Sequence, residues 1–139
     1  EQGLKSMPPA VTPWGSVFGA MLRALLPFAT IAPARVDIAI GDDGLSLEPY
    51  GIRGRVVFTP GHSRGSVSIV LDSGEAFVGD LAMNGLPLTR RPDLPIFAED
   101  IEAVKASWNK LLTLGVSTIF PAHGKSFPAS VIRHRLSGT

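Results

Sequence analysis

Residues 58–71 read FTPGHSRGSVSIVL: Phe58-Thr59-Pro60-Gly61-His62-Ser63-Arg64-Gly65-Ser66, then Val67 to Leu71. A histidine stands on a corner bounded by proline and glycine, where one strand-like run, 55–58, hands over to the next, 67–71. Pro60 fixes one torsion of that corner. Gly61 and Gly65 permit backbone angles that other residues resist. A side chain held on such a corner points one way, at the end of a sheet. That placement suits a ligand or a catalytic group, and it suits a plain turn as well, so the rest of the chain has to decide.

Outward from this corner, residues 35–82 read as strands. Further runs lie at 36–40, 45–47 and 76–78, with turn chemistry between them in Gly41-Asp42-Asp43-Gly44, Tyr50-Gly51 and Asp72-Ser73-Gly74. Residues 83–98 form a loop rich in proline and glycine. It is longer than most connections, and long ordered loops are often functional. Residues 99–114 read as a helix with Ile101, Val104, Trp108, Leu111 and Leu112 on one face, acidic residues in the first turn and Gly115 at the end. A short strand at 118–120 and a closing helix at 128–136 follow. Residues 1–34 are rich in Pro, Ala and Leu and hold a helix at 16–26 that Pro27 ends. Strands followed by a helix that returns to a strand define an α/β layered domain.

Composition narrows the function classes. A chain of 139 residues is one domain, long enough for a real core. Hydrophobic residues at 45% and charged residues at 18% describe a globular chain. The net charge of +1, with no basic run, argues against nucleic acid as a partner. With no cysteine, disulfides, thiolate metal sites and cysteine nucleophiles are excluded. There is no G-x-S-x-G elbow either. The most apolar window, 17–32, is interrupted by Arg23 and Pro27 and is short for a bilayer, so it reads as amphipathic or buried and no membrane span is expected. The chain opens on Glu1 without a signal-like pattern, which reads as a processed chain or a fragment. The expected location is cytoplasmic, although the lack of cysteine does not fix the compartment.

Three residues end strands in the same way. His62 follows the run at 55–58, Asp80 follows 76–78 in FVGDL, and His123 follows 118–120 in IFPAHG. Each has a neighbouring glycine. If the strands are neighbours, the three side chains gather at one end of a sheet, and two imidazoles with a carboxylate are good ligands for zinc or a similar divalent ion. Taken singly, each is also an ordinary turn residue.

TPGHSRGSVSIVL, AFVGDLAMNG and IFPAHG, in that order, resemble the C-terminal half of metallo-β-lactamase-fold hydrolases. The resemblance covers about residues 36–127, and residues 1–35 resemble the less regular segment that some of these proteins place before that half. It implies half of an αβ/βα sandwich, a mixed β-sheet with flanking helices: 1–35 as an irregular or helical cap and 36–139 as the C-terminal half-domain. His62 matches the third histidine of a first metal site, Asp80 the carboxylate that bridges two metals and takes part in catalysis, and His123 the last histidine, on the second metal. The implied cofactor is zinc, two ions in the complete family site. The implied activity is metal-assisted hydrolysis of an ester, lactone, thioester, amide or phosphoester in a small-molecule substrate. Arg64 and Ala122 depart from the usual flanking residues without removing a donor. The larger departure is the family's upstream HxHxDH cluster. The only histidines here are His62, His123 and His134, and no His-x-His occurs. The expectation is therefore a chain with part of the shell, inactive by itself, whose partner is a missing N-terminal half or a second copy of the chain. The alternative is a non-catalytic half-domain that serves folding or assembly.

The remaining notable residues have plain readings. His134, between two arginines, belongs on a solvated helix face. Arg90 and Arg91 read as exposed loop charge or as a clamp for an anionic substrate. Trp108 and Phe120 read as core. Trp14, Phe18, Met21, Leu22, Leu25, Leu26 and Phe28 read as core or as an apolar cap over the site mouth. Half a sandwich leaves one sheet face without a cover. Val57, Ile69, Leu71, Phe77 and Ile119 are its candidates, and alternation alone does not assign them to the open face or to the helix side.

Overall fold

A computed structural model describes residues 8–25, 35–85 and 91–138, except for the side chain of Trp14. Six strands form one sheet in sequence order: β1 (Leu45–Ser46), β2 (Gly54–Phe58), β3 (Val67–Leu71), β4 (Glu75–Gly79), β5 (Thr118–Pro121) and β6 (Phe127–Pro128). All neighbours are antiparallel except β4 and β5, which run parallel. A parallel pair needs a long crossover, and α2 (Ile101–Thr113) supplies it. Asp100 starts that helix by accepting the Ala103 amide at 3.0 Å. Helix α1 (Pro13–Leu25) precedes the sheet and α3 (Ser130–Ser137) closes the chain. The architecture is the expected mixed sheet with flanking helices.

The core lies on one side of the sheet. Val57, Val70, Ala76, Val78 and Ile119 pack there against Val104, Trp108 and Leu111 of α2 and Ile132 of α3. Trp108 also donates its indole N–H to the Leu81 carbonyl at 3.0 Å. Register assigns the opposite face. Leu45 pairs with Val56, Val56 with Ile69, Ile69 with Phe77 and Phe77 with Phe120, so these five share one side. On it Val67, Ile69 and Phe77 are 37%, 39% and 45% exposed. Of the five residues that alternation left unassigned, Val57 and Ile119 thus face the helices and Ile69, Leu71 and Phe77 the open side. Phe120 is only half-buried and stacks on Phe77, ring centroids 5.0 Å apart, on that same open side.

Two expectations change. Residues 36–40 are not a strand; Val36 and Ile38 stay exposed. A strand must pair its N–H and C=O groups, and no strand lies beside this run among the described residues. The loop at 83–98 is partly core: Met83, Ile96 and Phe97 form a second buried cluster, with Phe18 and Leu22 of α1 packed against it. On α1, Met21 and Leu25 are exposed. Leu26, Phe28 and Arg90 lie outside the described residues, while Arg91 is exposed. Among the described residues no helix is long and apolar enough to cross a membrane.

Candidate metal centre

Strand direction decides where the three candidate ligands meet. β2 and β4 both run antiparallel to β3, and β5 runs parallel to β4, so the C-terminal ends of β2, β4 and β5 share one edge of the sheet. His62, Asp80 and His123 follow those three ends.

Their corners are built by close backbone packing. At Gly61, φ is +139° and an added Cβ would lie 2.4 Å from the Val104 amide nitrogen of α2. Glycine is needed there on both counts. Ser107 of α2 donates to the Pro60 carbonyl at 2.8 Å and secures the same corner. Gly65 has an ordinary φ and open space beside it, so the freedom expected of it is not used. The His123 corner is held by the Asn84 amide, which donates to the His123 carbonyl at 3.0 Å. There Gly124 lies so close to Asn84 that a Cβ would fall 1.1 Å from the Asn84 carbonyl oxygen.

The side chains do come together. His62 Nε2 lies 3.8 Å from Asp80 Oδ2, and His123 Nε2 lies 3.5 Å from Asp80 Oδ1. Each carboxylate oxygen thus faces a different imidazole. Asp80 Oδ1 is buried and has no hydrogen-bond partner. His62 Nδ1 is 2.8 Å from the Phe97 carbonyl. A carbonyl only accepts, so Nδ1 carries the proton, and in the neutral ring Nε2 presents a lone pair to Asp80. Two acceptors then face each other across 3.8 Å. A shared cation relieves that opposition, and an imidazole whose other nitrogen donates to a carbonyl is the usual form of a metal-bound histidine.

The donor chemistry therefore fits a divalent ion, and the spacings are near the roughly 3.3 Å between two ligands of one tetrahedral ion with bonds of about 2.0–2.1 Å. The three side chains are not arranged as a formed site all the same: among the described residues no group of three or more His, Cys, Asp or Glu side chains is placed to hold a metal ion. His134 is exposed on α3, as its flanking arginines led us to expect. Phe97 and Asn84, which hold the two histidine corners by backbone contacts, were not legible in the sequence, because main-chain hydrogen bonds leave no side-chain signature. Glu99 is a third such residue, its amide donating to the His62 carbonyl at 3.2 Å; its carboxylate also accepts the Arg64 amide at 2.9 Å and lies 3.8 Å from the Arg64 guanidinium.

No protein-family model matches the sequence, and no curated protein sequence is significantly similar. The fold has clear counterparts among solved structures. An archaeal metallo-β-lactamase superfamily protein, ST1585 from Sulfolobus tokodaii, aligns with a TM-score of 0.54 at 20% identity, over 89% of this chain and 49% of its own. The metallo-β-lactamase family protein TTHA1429 from Thermus thermophilus gives 0.54 at 22% identity, over 88% and 44%. TTHA1623, solved in a di-iron-bound form, gives 0.50 at 26% identity, over 90% and 59%. The chain has the fold found in part of metallo-β-lactamase superfamily proteins, and it spans about half the length of these structures.

Proposed function

We propose that this chain is the C-terminal half of a metal-dependent hydrolase of the metallo-β-lactamase superfamily, residues 36–139 forming the half-domain and 1–35 an appended segment. One observation carries the reading: Asp80 stands between two imidazole Nε2 atoms, one at each oxygen, with its buried Oδ1 left without a hydrogen bond. His62 and Asp80 Oδ2 would serve one ion, His123 and Asp80 Oδ1 a second. Zinc is the first expectation; the di-iron form of TTHA1623 keeps iron in view. When bound, such ions polarise a carbonyl or phosphoryl oxygen and make water nucleophilic near neutral pH. The chain's own residues fix the geometry. His62 is oriented by the Phe97 carbonyl, His123 is held by the Asn84 amide, and Asp80 places one carboxylate oxygen toward each imidazole. The substrate is a small molecule with an ester, lactone, thioester, amide or phosphoester bond.

Three ligating side chains cannot complete two metal sites of the usual coordination number. The chain by itself is then expected to hydrolyse nothing above background and to bind zinc weakly. Zinc titration calorimetry on wild type and His123→Ala tests this: weak binding that the substitution removes supports the reading, and tight binding of two ions by the isolated chain sinks it. The uncovered apolar side of the sheet favours a second reading, a half-domain whose role is assembly with a complementary half. Hydrolysis that appears only on mixing the two halves supports the enzyme, and a stable complex with no zinc uptake supports assembly alone.

A further inference from the structure

The contact that orients His62 hangs on a segment that the N-terminal helix grips. Val11 donates its amide to the Ile96 carbonyl at 2.8 Å, and Ala98 donates to the Pro9 carbonyl at 3.1 Å. Ala10 bridges Phe97 antiparallel between them. Thr12 then starts α1, its hydroxyl accepting the Gly15 amide at 3.0 Å. The helix lies as near as its backbone allows: a Cβ on Gly15 would sit 2.5 Å from the Ile96 carbonyl oxygen, and one on Gly19 would sit 3.1 Å from Phe97 Cε1. Phe18 stacks on Phe97 with ring centroids 6.3 Å apart. The next residues bind the histidine corner itself, Glu99 donating to the His62 carbonyl at 3.2 Å and Asp100 to the Gly61 carbonyl at 3.0 Å. Helix, buried segment and histidine form one continuous support.

We propose that residues 9–22 are a positioning clamp that, through the Phe97 carbonyl, locks His62 in the Nδ1–H form with Nε2 turned to Asp80. Phe97 and Phe18 are positioning residues, acting on the ligand atom without touching it. Which imidazole nitrogen carries the proton is set by the hydrogen bond the other makes, so slackening the clamp frees both nitrogens. The consequence for metal rests on the function proposed above; the tautomer does not.

Long-range nitrogen-15 spectra of the full 139-residue chain, free of metal at about pH 8.5, two units above the ordinary imidazole pKa, read each histidine separately. His62 is expected as Nδ1–H, with exposed His134 as the solvent-like reference. Phe18→Ala removes the ring under Phe97, and Gly15→Ala pushes a methyl group into the Ile96 carbonyl. Both are expected to shift His62 to a mixture of tautomers and to weaken zinc binding about 10–100-fold, the usual cost of losing outer-shell support. Phe18→Leu should retain most of the wild-type tautomer and zinc affinity, and Val17→Ala, on the exposed side of α1, should do nothing. Wild-type His62 in the Nε2–H form overturns the clamp, as does either variant folded with its tautomer unchanged. The wild-type spectrum alone decides the orientation if both variants fail to fold. A chain with Nδ1–H at His62 and no zinc uptake keeps the clamp and removes the metal reading.

Discussion

Replacing Phe77 with lysine tests what the open side of the sheet is for. Val67, Ile69 and Phe77 leave 37%, 39% and 45% of their surface in water. Full burial of such side chains stabilises by about 1.5–3 kcal/mol each, so covering what remains exposed is worth roughly 2–4 kcal/mol for the three. Two copies face to face would gain about twice that, against an association cost of about 4–15 kcal/mol. A homodimer therefore sits near break-even, with a Kd of about millimolar or weaker. A complementary half that brings its own apolar layer, or is continuous with the chain, escapes most of that penalty. Against the expectation of a second copy as partner, the isolated chain should sediment as a monomer at micromolar concentration, self-associate only as it nears millimolar, and bind a hydrophobic dye. Phe77→Lys should abolish dye binding and association and cost about 1 kcal/mol through the lost stack on Phe120. A dimer with a Kd below about 10 μM that survives Phe77→Lys would refute the reasoning, because association would then lie elsewhere, for example along Val17, Met21 and Leu25 of α1.

Three further outcomes follow from named contacts. Gly61→Ala must accommodate φ of +139° and a Cβ 2.4 Å from the Val104 nitrogen; it should lose about 2–3 kcal/mol in denaturant unfolding, and an unchanged midpoint would mean that the corner yields easily. Asp80→Asn removes a carboxylate whose buried Oδ1 lacks a hydrogen bond; the metal-free chain should be as stable as wild type or about 1 kcal/mol more stable, while calorimetry should show zinc binding lost. Trp108→Phe leaves the Leu81 carbonyl without its indole partner in the core; unfolding should report a loss of about 1–3 kcal/mol.

The parts of this fold that repeat were legible, and the parts made by main-chain contact were not. The face of α2 read from periodicity holds Val104, Trp108 and Leu111, all buried. The three candidate ligands could be seen because each follows a strand beside a glycine, and the strand directions then bring them to one edge. The pattern at 36–40 misled because alternation measures fitness for a sheet and not the presence of a neighbour. Phe120 misled for a related reason: its type suits a core, and only the register with Phe77 shows that it faces the open side. The burial of Ile96 and Phe97 in a loop came from their contact with α1, which no local pattern encodes.

The open sheet side and the partial metal shell proposed for His62, Asp80 and His123 call for the same kind of cover. Phe77 stands three residues before Asp80, and Phe120 three before His123. The two rings stack across the parallel pair β4–β5, whose C-terminal ends carry those two candidate ligands. A layer laid over this pair would bury the rings and bring its own edge beside Asp80 and His123. There it could supply the donors that the shell lacks. In such an assembly, folding and metal uptake would be linked, since a structural or catalytic ion that binds only the assembled form stabilises it by mass action. Zinc should then raise the affinity between complementary halves, and His123→Ala should remove that dependence while leaving the zinc-free affinity unchanged. Equal affinity with and without zinc in the wild-type pair would separate the two needs and leave the apolar face as a matter of packing alone.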